Sequence, residues 1–162
     1  LTIFATELIA KLTKGMEKGS FLAIKSQPKH IRIGIWASIV SAVMLIGIGV
    51  FWIAHPAAAE GSFSIVPDSD AALRFAKILA IFKAVGDVLP PIFVLLAIYF
   101  QQFRLAGYFH LITFFLVIVV DMLVWGSFVP NVGATDIIQH IPFAIPIIIA
   151  AYCFLKPTSK IP

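Results

Sequence analysis

Long apolar runs, each wide enough for a lipid bilayer, alternate along this chain with short polar turns. Gln27-Pro28 closes the segment before the first run, because a residue preceding proline avoids the helical region. The first run covers about residues 31–54, the second 71–100, the third 105–129 and the fourth 137–155, where Lys156-Pro157 ends it. A hydrocarbon core of ~30 Å needs about 20 apolar residues in a helix, and the runs are read as spans on that ground. The pattern predicts an all-α membrane protein: an antiparallel bundle of four transmembrane helices at residues 31–156. Between the first two spans lies a loop, residues 55–70, from which Asp68 or Ser69 can cap the next helix. Pro90-Pro91 are expected to kink the second span. Gln101-Gln102-Phe103-Arg104 makes the next turn. Gly34, Ser38 and Ala42 recur every four residues, a small-residue stripe that lets another helix approach closely.

Residues 1–30 form a separate unit, an amphipathic interfacial helix and a linker. At 100° per residue, Leu1, Phe4, Leu8, Ile9, Leu12 and Met16 share one arc of residues 1–19, and Lys11, Lys14 and Lys18 share the opposite arc. A basic stripe of this kind suits a helix lying among lipid headgroups, or one packed on a partner protein. The chain begins at Leu1 without a methionine, which leaves open whether a piece precedes it.

Composition agrees with a bilayer as the solvent. Hydrophobic residues make up 60% of the chain and charged residues 12%, about half the charged share of an ordinary soluble domain. The net charge of +4 is no nucleic-acid signature, because the basic residues sort by membrane side. Lys11, Lys14, Lys18, Lys25, Lys29 and Arg32 precede the first span, Arg104 divides the second from the third, and Lys156 and Lys160 follow the fourth. The two opposite loops hold neither Lys nor Arg, which predicts a multi-pass protein with both termini in the cytoplasm. Trp52 and Trp125 then fall towards the outer interface. Ala57-Ala58-Ala59 has the look of a signal-peptide cleavage site, but the apolar run before it is too long for an ordinary leader. The single Cys153 excludes an intrachain disulfide and a cysteine-based metal cluster.

From Arg32 onward the chain resembles a four-span family known as domain of unknown function 4267. The residues that carry the resemblance are His55-Pro56-Ala57-Ala58 after the first span, Gly86-Asp87 in the second, Asp121 late in the third and His140 early in the fourth. It covers roughly residues 32–155. The family has an arginine before the span-two aspartate, where this chain has Gly86 and its nearest base is Lys83. The resemblance implies four spans and no particular activity.

No phosphate-binding glycine loop, nucleophile elbow or zinc spacing occurs, and nothing in the pattern names a cofactor. His30, His55, His110 and His140 lack the spacing of paired haem ligands. His110 reads as a histidine hydrogen-bonded near the cytoplasmic interface, and Lys77 as a side chain that snorkels outward. Asp87, Asp121 and His140 are the candidate site. Ionisable residues within spans are costly and generally face a bundle interior or a water-filled cavity. At 1.5 Å per residue, all three fall roughly 4–10 Å to the outer side of the midplane. Lys83 sits one turn further out and can neutralise Asp87 at i, i+4. Pro90, Pro91, Pro142 and Pro146 free backbone carbonyls in the same layer. The layer is either a closed network or a working pocket. Three functions follow: an accessory or scaffolding subunit with partner membrane proteins, an acid–base enzyme of isomerase or cyclase type on a lipophilic small molecule, or a proton- or ion-coupled carrier.

Overall fold

A computed structural model describes residues 24, 26–55, 69–120, 122, 123, 127, 138 and 140–157. The amphipathic segment 1–19, most of the first loop and Asp121 lie outside the described residues. Those described are all-helical, with no strand among them. Three helices are long and apolar enough to cross a membrane. They are α1, Lys29–Ala54; α2, Asp70–Tyr99; and α3, Phe103–Thr113, which runs on as a π-helical segment, Phe114–Val120. A shorter apolar helix, α4, covers Ile141–Leu155.

The ends of these helices follow from local chemistry. Ser69 caps α2, its hydroxyl accepting the Ala72 N–H at 3.2 Å, and Asp70 adds a carboxylate at the positive end of the helix dipole. At the other end the Gln101 N–H donates to the Ile98 carbonyl at 2.9 Å and the Gln102 N–H to the Ala97 carbonyl at 2.8 Å. That pair of bonds is the Schellman motif, and it places Gln101 in the left-handed region at φ 58°, where glycine is the usual occupant. Helix α2 continues through Pro90 and Pro91, whose missing N–H groups leave the carbonyls of Gly86 and Asp87 without helical donors. Pro142 falls in the first turn of α4, where an absent N–H costs nothing because that turn has no helical acceptor. Pro142 was expected to free a carbonyl within the span, and at this position it interrupts no bond inside α4. Pro146 does lie within the helix.

Burial follows the sequence period. In α1 the buried positions Ile31, Ile35, Ser38, Ala42, Leu45, Gly49 and Trp52 alternate by four and three, the seam of a left-handed helix pair. Gly34 and Ser41 widen it. In α2 the buried set is Ala80, Ala84, Asp87, Pro91, Val94 and Ala97. The third span was expected to be a regular helix. It passes into a π segment, which winds more widely, and Ile118 within it is buried.

Helix α1 packs against α2 and α4, and α3 packs against the same two. One core cluster joins Ile31 and Ile35 of α1, Val94 and Ala97 of α2, Ala106 of α3, and Ala150 and Phe154 of α4. A second joins Trp52 of α1 to Ala80 and Ala84 of α2. Large side chains such as Trp36, Val43, Phe82, Phe115 and Tyr152 point outward, as they would towards lipid.

Between helices in hydrocarbon, association rests on close van der Waals contact rather than on escape from water. Three glycines permit it. A Cβ on Gly49 would stand 2.6 Å from Val88 Cγ2 and 3.0 Å from the Ala84 carbonyl oxygen. One on Gly34 would meet the Phe154 ring at 2.7 Å, and one on Gly107 would meet Leu155 Cγ at 2.8 Å. Gly47 and Gly86 face open space. Gly49→Ala should therefore lower stability by ~1–3 kcal/mol, since the obstructing carbonyl belongs to a rigid helix. Gly47→Ala, on the open side of α1, should be neutral or slightly stabilising. Thermal unfolding in mild detergent measures both, and equal effects would mean that Gly49 does not lie in the seam.

Candidate functional site

The buried polar side chains occupy two levels. At the first, Lys83 Nζ donates to Asp87 Oδ1 at 2.9 Å, the i, i+4 pair that the spacing predicts. The Asp87 side chain is 3% exposed and that of Lys83 26%, so the carboxylate is enclosed while the ammonium reaches outward. Helix α1 closes over the pair at Gly49, where an added Cβ would lie 3.5 Å from Asp87 Cβ. Gly49 is five residues from the end of α1, ~7.5 Å of helical rise.

The second level joins helices that are not direct neighbours. Ser38 of α1 and His110 of α3 meet at 2.7 Å between Oγ and Nε2. Ser38 Oγ is also 2.7 Å from the Gly34 carbonyl. A hydroxyl has one proton, so if it donates to Gly34 its lone pair receives the His110 Nε2–H. The ring's bare lone pair is then on Nδ1, which is buried without a hydrogen-bond partner among the described residues. The opposite tautomer would bury an unmatched N–H, the less tolerated of the two. Phe154 of α4 stacks on the imidazole with ring centroids 6.3 Å apart. One turn further along each helix, Ser41 Oγ donates to the Ser38 carbonyl at 3.0 Å and Thr113 Oγ1 to the Phe109 carbonyl at 2.8 Å. From Ser38 to Gly49 is eleven residues along α1, ~16 Å, so the two levels are separate.

Of the residues singled out from sequence, Lys83 and Asp87 are brought together. His140 is half-buried just before α4, its carbonyl accepting from the N–H groups of Phe143 and Ala144. Asp121 lies outside the described residues. His110 is more enclosed than expected, at 2% exposure, because Phe154 and Ser38 cover it from two helices. Sequence reasoning placed Ser38 in the packing stripe and did not pair it with His110. The signal was a hydroxyl and an imidazole on two small-residue faces, and only the packing of α1 and α3 on the same two helices brings them together.

A serine hydroxyl on an imidazole nitrogen has the geometry of a nucleophile and its base. Here Ser38 is fully buried, and it is not among the residues that line the groove between α3 and α4. The pair links α1 to α3. Comparison with protein-family models, curated proteins and solved structures returns no match for the chain.

Interhelical hydrogen bonds in membrane proteins are worth ~0.6 kcal/mol on average and up to ~1.7 in double-mutant cycles. Ser38→Ala should cost an amount in that range, since it strands His110 Nε2. In a His110→Leu background the same change should be close to neutral, because the remaining partner of Ser38 is a carbonyl already bonded in its helix. A coupling indistinguishable from zero in detergent unfolding would show that the 2.7 Å contact contributes nothing to stability.

Proposed function

We propose that this chain is a four-span integral membrane protein, an antiparallel bundle with both termini cytoplasmic, that serves as an accessory or scaffolding subunit of a larger membrane assembly. Three long apolar helices and a shorter fourth support four crossings. The core cluster that gathers the start of α1, the end of α2, the start of α3 and the end of α4 supports alternating directions. Lys29, Arg32, Arg104 and Lys156 lie within about a turn of that cluster, as the cytoplasmic rule requires. The resemblance to domain of unknown function 4267 belongs to this proposal and adds four spans without an activity. The observation that carries the subunit reading is that buried polar groups pair with one another, Ser38 with His110 across helices and Asp87 with Lys83 along α2.

A second reading, the acid–base enzyme, rests on depth. From the Gly34–Phe154 contact, Gly49 lies fifteen residues along α1 and His140 fourteen residues back from Phe154, ~21–23 Å in each case. In an antiparallel bundle this sets His140 level with Asp87, and Asp121 from the third span would join them around a lipophilic substrate.

Two experiments test these readings. Single cysteines at Ser62 and Lys160, introduced after Cys153→Ala, should label from opposite sides of the membrane. Labelling from one side would end the four-span topology. Purification in mild detergent should yield a stoichiometric membrane-protein partner, and Asp121→Asn should leave that complex assembled. A lone chain that turns over an added lipophilic substrate, with Asp121→Asn folded but inactive, would replace the subunit reading with the enzyme.

A further inference from the structure

We infer that the groove between α3 and α4 binds one acyl chain of an anionic phospholipid, with the lipid phosphate held at Lys156. The groove encloses about 560 Å³ and is lined by Leu111 and Phe114 on one side and by Ile148, Ala151 and Tyr152 on the other, with Lys156 at its end. Its lining is almost wholly apolar, with Lys156 and Pro157 where α4 ends.

Three features select this occupant. The first is length. Lys156 to Ile147, which also lines the groove, is nine residues of α4 and its end, ~14 Å of rise. Half of a ~30 Å hydrocarbon core is the same distance, so the groove runs from one interface to near the midplane and matches a chain of one leaflet. The second is the size of the lining residues. Where helices of this protein meet closely they do so at Gly34, Gly49 and Gly107. The groove has one small residue, Ala151, among branched and aromatic side chains that hold a helix backbone away. A thin, flexible alkyl chain fits between such side chains, and a second helix does not. The third is charge. Lys156 is exposed beside Leu155, which Gly107 of α3 faces, and Arg104 lies one turn before that glycine. Lys29 and Arg32 begin α1 at the same end. Among the described residues the carboxylates are Asp70 and Asp87, neither at this end. A basic end attracts anionic headgroups, and Tyr152 stands one turn inside it as interfacial aromatics do.

The inference concerns lipid occupancy and holds whether or not the chain is a subunit. The test is native mass spectrometry of the full chain, released from mild detergent with equal amounts of phosphatidylglycerol and phosphatidylcholine of identical acyl chains. The wild-type chain should retain one phosphatidylglycerol in preference. Lys156→Gln should reduce that preference roughly fivefold, the factor expected for one basic residue near a charged surface. Ile148→Trp, which fills the groove from an exposed position, should reduce retention of both lipids. Lys156 is exposed, so its variant should melt with the wild type and carries the test alone if Ile148→Trp does not. Equal retention of the two lipids by the wild type, or an unchanged preference in Lys156→Gln, would overturn the site. So would a dimer that Ile148→Trp dissociates, since a second copy would then be the occupant.

Discussion

Close approach of backbones is the constraint on which the other features rest. In hydrocarbon a leucine gains little by leaving lipid for a neighbouring helix, so helices associate where their surfaces fit tightly. Helix α1 supplies the fit. Its buried seam includes Gly34, Ser38, Ser41, Ala42 and Gly49, and it lies against both α2 and α4. At Gly34 there is no space for a methyl group beside Phe154, and at Gly49 none beside Val88 and the Ala84 carbonyl. Phe154 is thereby drawn into the centre, where it packs with Ile35, Val94 and Ala106 and stacks on His110.

That approach in turn decides what becomes of the polar side chains. A hydroxyl, an imidazole or a carboxylate in a span must find a partner or reach the interface. Because α1 can come near α3 at Ser38, the His110 ring has a partner across the molecule. Because Gly49 leaves room above Asp87, the carboxylate can be enclosed while Lys83 holds it from the next turn. The Ser38–His110 pair depends on the separation of two helices, whereas Lys83–Asp87 is made within α2 and only its enclosure depends on Gly49.

The same contrast between small and large side chains separates the seams from the outer surface. Glycine and alanine mark the places where helices touch, and isoleucine, leucine, phenylalanine and tyrosine mark the faces they turn outward. The groove between α3 and α4 belongs to the second kind although it lies between two helices. Its rim of bulky residues and its basic end give it the character of a surface that meets lipid rather than protein. Packing and ligand reading thus come from one rule applied to different parts of the chain.

Much of this was legible in the sequence because the bilayer imposes so few solutions. Apolar runs of the required length identified the long helices, since backbone groups in lipid must bond within their own segment. The four-residue spacing of Gly34, Ser38 and Ala42 identified the seam of α1, Ser69 its candidate cap on α2, and the i, i+4 spacing of Lys83 and Asp87 their ion pair. Each of these is a local matter of helical period or reach. The π winding of Phe114–Val120, the left-handed Gln101 and the enclosure of His110 were not legible. No residue type announces a π turn, and at the end of α2 a glutamine occupies the left-handed position that a glycine would have signalled. Ser38 and His110 stand 72 positions apart, and each alone reads as an ordinary helix residue. Periodicity tells which face of a helix is buried, but not which residue of another helix stands opposite, and that pairing is decided only when close backbone contact sets the register between them.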